Sequence, residues 1–197
     1  MIIGVLALQG NFAMHQNMLV ELDVPSILVK YPHELEKCDG LIIPGGESST
    51  ISKLIDSHGL RVPLVKYSKN NSIFGTCAGM ILLSSSKSSE NLNPLSIMDF
   101  TVTRNAWGRQ IFSFTKEVYV DFSTGIQFSA TFIRAPKVVA ISNSINVLSK
   151  LNEEIILLSD GLHLASSFHP EFGTDTQIHN YFINLVKENE KINSLRN

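Results

Sequence analysis

Residues 72–83 read S-I-F-G-T-C-A-G-M-I-L-L, and this stretch decides the fold class. An apolar run enters Gly75-Thr76-Cys77-Ala78-Gly79, and Met80 to Leu83 continue as the start of a helix. The same alternation precedes it. Residues 2–8, 26–30 and 40–44 are short apolar runs, while residues 12–22 and 50–57 carry helical stretches, the second with Ser49 or Thr50 as its expected N-cap. Unbroken apolar runs of this length fit strands covered by helices on both faces, which is how parallel sheets are buried.

Past a polar, Ser-rich loop at residues 84–93 (SSSKSSENLN) the texture becomes β-type, at residues 100–103, 117–122, 127–133, 138–141, 154–158 and 162–168. Some of these runs are expected to pair antiparallel and to extend or cap the sheet. Ile178, Phe182, Leu185 and Val186 form the stripe of a closing helix over residues 175–186, and the polar residues 187–197 are expected to fray. The expected architecture is α/β, with three α/β/α layers around a mostly parallel central sheet. No repeat or linker divides the chain, so residues 1–197 are read as a single domain.

Composition narrows the function classes. The 197 residues carry 16 basic and 18 acidic side chains with no basic block, which leaves no excess positive charge to grip a phosphate backbone; nucleic-acid binding is not expected. Cys38 and Cys77 are too few for a disulfide scaffold and lack metal-ligand spacing. The apolar start of the chain ends at Gln9-Gly10, too short for a signal peptide or a membrane span, so the expectation is a cytoplasmic protein with reduced thiols and no membrane partner.

Gly75-Thr76-Cys77-Ala78-Gly79 has the form G-x-C-x-G, the cysteine counterpart of the serine elbow. A nucleophile on a tight strand-to-helix turn sits in strained backbone, and side chains two residues to either side would collide with it. The turn places sulfur at a helix start, where free N–H groups favour thiolate, and the Ala78 N–H would face a developing oxyanion. The same segment also suits a small apolar turn in which Cys77 merely packs.

In Ser167-Phe168-His169-Pro170-Glu171 the extended-chain period of two projects His169 and Glu171 to one side, and Pro170 restricts His169 to extended conformations. Glu171 can then hold the imidazole while its other nitrogen faces a thiol, which is triad logic by role; an isolated His-Pro-Glu is also compatible with a surface or capping histidine. His15, His33, His58, His163 and His179 lack such a carboxylate and are read as structural, so His179→Asn is expected to leave turnover near wild type; Cys38, without a glycine frame, is structural too. Pro44-Gly45-Gly46-Glu47-Ser48 follows the third apolar run, at a strand carboxyl end where open α/β sheets bind ligands. Its backbone could supply a second oxyanion donor, or it is an ordinary β-to-α turn. No phosphate loop or dinucleotide fingerprint is present.

Together and in this order, the segments resemble a class I (triad-type) glutamine amidotransferase, with its flavodoxin-like sheet. More narrowly they resemble the glutaminase subunits of pyridoxal 5′-phosphate synthase, the Pdx2/PdxT/SNO family. The resemblance lies in Leu8-Gln9-Gly10 with His15, residues 39–48 (DGLIIPGGES), residues 73–79 (IFGTCAG), Arg104-Asn105 with Gly108-Arg109-Gln110, residues 132–136 (FIRAP) and residues 167–171 (SFHPE). These span nearly the whole chain.

The resemblance implies Cys77 as nucleophile with His169 and Glu171 as base and orienter, and contacts to bound L-glutamine from Gly46, Glu47, Ser48, Arg104, Ile133 and Arg134. Gly45 and Ala78 belong to the oxyanion turns. It implies no metal and no organic cofactor, and a Pdx1/PdxS-type synthase subunit as the partner that receives ammonia and activates the glutaminase on docking. Thr103 stands where many relatives carry an acidic residue, and Trp107 where Phe or Tyr is usual. Alternatives are a class I amidotransferase subunit of another synthase, a Cys-elbow protein of the DJ-1/PfpI type, or a catalytically silent regulatory subunit.

Overall fold

The computed structural model describes residues 1–86, 92–104, 113–122 and 125–195. Asn105, Trp107, Gly108, Arg109 and Gln110 of the family-like segment lie outside these residues, as does the middle of the Ser-rich loop. In the first half, β1 (Ile3–Leu6), α1 (Phe12–Glu21), β2 (Ser26–Val29), α2 (Pro32–Leu35), β3 (Gly40–Ile43), α3 (Ser48–Ser57), α4 (Arg61–Tyr67), β4 (Ser72–Thr76) and α5 (Ala78–Leu83) follow one another. The second half holds β5 (Phe100–Thr103), β6 (Phe114–Val120), β7 (Ile126–Phe132), β8 (Lys137–Ile141), β9 (Asn146–Leu151), β10 (Glu154–Ser159), β11 (Leu164–Ser166) and α6 (Gln177–Ser194).

The main sheet has the order β2-β1-β3-β4-β11-β10-β9-β6-β7, and β5 pairs with β8 in a separate ribbon. The five strands from β2 to β11 are parallel neighbours, and the four beyond them are antiparallel. The expected mostly parallel sheet with antiparallel additions is therefore present. Strand pleating splits the core in two. Leu41, Ile43 and Ile73 pack with Ile51, Ile55, Leu64 and Met80 of α3, α4 and α5. Ile42 and Phe74 face the other way, onto Leu19 of α1 and Ile178, Phe182 and Val186 of α6. These two apolar layers make the α/β/α sandwich. No helix among the described residues is long and apolar enough to cross a membrane.

Helices α2 and α4 stand where no helix is expected, and three further elements depart from the expectation. Helix α3 starts at Ser48, before residue 50, because Glu47 and not Ser49 or Thr50 is the N-cap: its carboxylate accepts from the Ser49 and Thr50 N–H groups at 3.1 and 2.6 Å. Residues 187–194 continue α6, since the Asn189 and Asn193 amides donate to the Asn70 carbonyl at 2.6 and 3.1 Å and anchor the polar turns. Strand β9 is half-exposed and forms a hairpin with β10 across Asn152-Glu153, where Asn152 takes φ 54°.

Candidate active site

The carboxyl ends of β3, β4 and β11 converge, and each delivers one part of the site. Strand β4 is buried throughout and leads into Cys77, whose N–H donates to the Ser166 carbonyl of β11 at 2.8 Å. Cys77 takes φ 49°, ψ −100°, a conformation that L-residues rarely adopt. The flanking glycines permit the turn. A Cβ on Gly75 would lie 2.6 Å from the Gly79 backbone, and one on Gly79 would overlap the Ile43 carbonyl of β3. Ala78 opens α5, so its N–H lies in a first turn that has no intrahelical acceptor.

Beyond β11 the chain runs through His169, whose N–H donates to the Thr131 carbonyl of β7 at 2.8 Å. This tie brings the residues after β7 to Cys77: its Sγ lies 3.7 Å from the Ile133 carbonyl oxygen, and exposed Arg134 follows with φ 48°. Glu171, 1% exposed, receives the His169 Nδ1–H on Oε1 at 2.7 Å. Gly45 explains its own identity here, because a Cβ would overlap His169 Cε1 and sit 3.3 Å from Cys77 Cβ. Its carbonyl accepts from the Asn11 N–H at 3.3 Å, and the Gln9 side-chain oxygen accepts from the Glu47 N–H at 2.8 Å, so the start of α1 props the Gly45-Gly46 turn.

Electrostatically, burial opposes charge on His169, but hydrogen bonds to Cys77 and Glu171 and their negative charge outweigh it and raise its pKa to about 10. Burial likewise opposes charge on Glu171; His15 and the hydrogen bond from His169 prevail and hold the carboxyl below its ordinary range. A cavity of about 600 Å³ opens above, lined by Gly46, Glu47, Ser48, Cys77, Ala78, Arg104, Ile133, Arg134 and His169. Arg104 reaches it by donating from Nη1 to Ser49 Oγ at 3.1 Å. Of the residues named from sequence, Gly45 and Glu171 lie behind this wall and the others line it.

The other histidines divide. His163 accepts the Ile73 N–H on Nδ1 at 3.1 Å, His58 Nδ1 bonds the Leu54 carbonyl at 2.9 Å, and His33 stacks on Tyr31, all structural duties. Cys38 is also structural: its thiol donates to the Glu34 carbonyl at 3.3 Å, and burial pushes its pKa up to about 11. His15 is different. Its Nε2 lies 3.5 Å from Glu171 Oε2, although the two are far apart in the chain, and its Nδ1 is 2.9 Å from His179 Nε2. Only the packing of α1 against the sheet makes that contact, and no local spacing signals it.

A family model for the SNO glutamine amidotransferase family matches residues 5–188. The chain belongs to that family. Among its amidotransferase relatives, the pyridoxal 5′-phosphate synthase subunit PdxT of Desulforamulus reducens is 43% identical over 95% of this chain and 100% of its own length. PdxT of Brevibacillus brevis is 45% identical over 94% and 97%. A crystal structure of a glutamine amidotransferase superposes with TM-score 0.88 at 37% identity, covering 94% of this chain and 98% of the other. PurLQS from Thermotoga maritima shares the fold, with TM-score 0.66 at 15% identity and 98% of each chain covered.

Proposed function

We infer that this chain is the glutaminase subunit of a pyridoxal 5′-phosphate synthase, hydrolysing L-glutamine to L-glutamate and ammonia. The observation that carries the chemistry is Cys77 beside a His169 whose Nδ1 is bonded to Glu171 at 2.7 Å, at the floor of a cavity open to substrate. The relatives named above carry the pathway. Residues 1–197 serve as one glutaminase domain.

In this reading the imidazolium of His169 pairs with the thiolate of Cys77. Sulfur attacks the side-chain amide carbon of glutamine. The negative oxygen that forms is held by the N–H of Ala78 and by the Gly45-Gly46 turn, donors worth about 3 kcal/mol each in comparable sites. As the tetrahedral carbon collapses, the C–N bond breaks and His169 gives its proton to the departing nitrogen, releasing ammonia and leaving a γ-glutamyl thioester. Neutral His169 next takes a proton from water, the hydroxide adds to the thioester carbon, and the C–S bond breaks to give glutamate and the starting thiolate–imidazolium pair. Glu171 stays ionised throughout and fixes which ring nitrogen faces sulfur. Arg104 and Arg134 are the cations at the rim suited to the α-carboxylate of glutamine; Glu47, Ser48 and Ile133 complete its contacts. Ammonia passes to the partner synthase subunit, a Pdx1/PdxS-type protein, without entering bulk water, where it would be protonated.

The test is glutamate release from L-glutamine by the purified chain, alone and with a pyridoxal 5′-phosphate synthase subunit. Turnover should rise sharply with the partner, and Cys77→Ala should lower it by about 10³-fold or more with its melting transition retained. Turnover surviving in Cys77→Ala would remove Cys77 from the mechanism. Activity indifferent to the partner would detach the glutaminase from this synthase.

A further inference from the structure

The hydrogen-bonded chain that begins at Cys77 does not stop at Glu171. Glu171 Oε1 is taken by His169, but Oε2 is fully buried and makes no hydrogen bond of ordinary geometry among the described residues. It faces His15 Nε2 at 3.5 Å, and that nitrogen is also 3.3 Å from Thr76 Oγ1 on β4. The other side of His15 meets His179 Nε2 at 2.9 Å, and His179 Nδ1 has no partner among the described residues. Both rings have 0% exposure and lie edge-on to Phe74. A carboxylate oxygen in apolar packing needs a donor, and a pair of imidazoles needs one proton between them.

Only two neutral proton arrangements fit the 2.9 Å contact. If His15 carried its proton on Nδ1 and gave it to His179, then His179 would bear a buried, unpartnered Nδ1–H. His15 would also turn a lone pair toward the carboxylate. If instead His179 donates Nε2–H to His15 Nδ1, His15 directs its own Nε2–H at Glu171 Oε2 and Thr76 Oγ1. The orphaned atom is then only an acceptor on His179, the cheaper one to leave unmade.

We propose that His15 and His179 are positioning residues for the glutaminase reaction, forming a relay of neutral imidazoles, His179 Nε2–H to His15 Nδ1 and His15 Nε2–H to Glu171 Oε2, that holds the carboxylate so that Oε1 faces His169. The proposal rests on the reading of Cys77, His169 and Glu171 as the triad. Burial keeps both rings uncharged, holding His15 and His179 below the ordinary histidine range. The groups bearing on the triad are Cys77 and Glu171 around His169, and His15 and His169 around Glu171, with His179 behind His15. Glu21 of α1 borders the small cavity that reaches Glu171 from the far side, and Asp175 lines the neighbouring cavity beside Pro170.

Two measurements test the relay. Long-range nitrogen–proton NMR on the wild-type chain with ¹⁵N-labelled histidine reports each ring's tautomer without reference to turnover. His15 and His179 should both be neutral with the proton on Nε2 at pH 7–8; an Nδ1–H on His15, or a charged ring at either position, overturns the proposal. The second measurement is kinetic, with the synthase present. His15→Leu removes the donor, and His15→Gln restores an N–H near the Nε2 position. For His15→Leu, kcat should fall about tenfold or more with KM changed less than about twofold. Its alkaline limb should move to lower pH by about half a unit or more, because a carboxylate less firmly held supports the His169 imidazolium less. His15→Gln should recover most of both. A His15→Leu enzyme with wild-type kcat and pH limbs overturns the relay, as does a His15→Gln enzyme no better than the leucine variant. If His15→Leu does not fold, the tautomers decide alone. Retained turnover in Cys77→Ala would sink the triad itself and leave the tautomer result standing, so the two failures are distinct.

Discussion

His169, His15 and His179 are three buried imidazoles that the fold treats in opposite ways. Burial works against charge on all of them, but only His169 has hydrogen bonds to both a thiol and a carboxylate, and its pKa rises to about 10 while the others fall. The signs give a stability profile. A histidine raised in the folded state stabilises fully below its unfolded pKa of about 6.5, and that stabilisation is lost as pH climbs toward 10. A histidine lowered in the folded state costs stability as pH falls below about 6.5, because the unfolded chain takes up a proton that the folded one refuses. Glu171, held low, keeps its contribution above about pH 4.5 and adds no slope between pH 5 and 9. Urea midpoints should therefore rise from acid pH to about 6.5 and fall toward pH 10. His169→Asn should flatten the alkaline arm and His179→Leu the acid arm; arms of unchanged slope in both variants would show that these histidines do not set the profile. At this scale His169 and Glu171 were legible, since they stand two residues apart across a proline in one short segment after β11. His15 and His179 were not, because Glu171 meets His15 across the packing of α1, and His179 joins them from α6.

The Cys77 elbow is a packing solution between elements as much as a chemical one. Helix α5 follows β4 directly after Cys77, and Gly79 on its first turn lies against the backbone carbonyl of Ile43 at the end of β3. A carbonyl in a parallel ladder cannot move aside as a side chain can. Gly79→Ala should cost about 1–3 kcal/mol and tilt α5 away from β3. The loss would appear as a lower urea midpoint together with a loss of turnover exceeding what the unfolded fraction explains; a variant as stable and active as wild type would mean the helix tolerates the shift. The G-x-C-x-G spacing foretold the elbow because two glycines around a nucleophile have a steric cause. Element boundaries were less legible where a side chain outside the apolar pattern sets them. Glu47 caps α3 two to three residues earlier than the hydroxyl residues suggest, and α4, not expected from the sequence, forms with Pro63 accommodated in its first turn. The last turns of α6 depend on Asn189 and Asn193 finding the carbonyl of Asn70, a contact across more than a hundred residues of chain.

Across the whole molecule, the parallel half of the sheet supplies Cys77, His169 and the glycine turn at its strand ends, and β7 from the antiparallel half returns to place Ile133 and Arg134 opposite them. The cavity above Cys77 is thus walled by both halves, so occupancy should tighten the fold as a unit. In Cys77→Ala, expected to bind without turning over, L-glutamine with the synthase present should raise the melting temperature. A concentration a hundredfold above Kd corresponds to about 2.7 kcal/mol of added stability. No shift at saturating glutamine would mean that the cavity is not the glutamine site.

Local rules acted on neighbouring residues and were therefore written in the chain: apolar runs that must be covered on both faces, glycines around a strained cysteine, and a His-Pro-Glu extension that aligns an imidazole with a carboxylate. These determined the α/β class and singled out Cys77, His169 and Glu171 as the candidate nucleophile, base and orienter. What only the tertiary structure decided are relations between residues with no common local element. Among them are Gly45 against the His169 ring, Ile133 at the Cys77 sulfur, Glu47 committed to the start of α3, and the two histidines behind Glu171. The physical reason is the range of the forces involved. Sterics and periodicity act over a few bonds, whereas hydrogen bonds and desolvation in a buried site depend on which strands and helices the sheet order brings within 4 Å of one another.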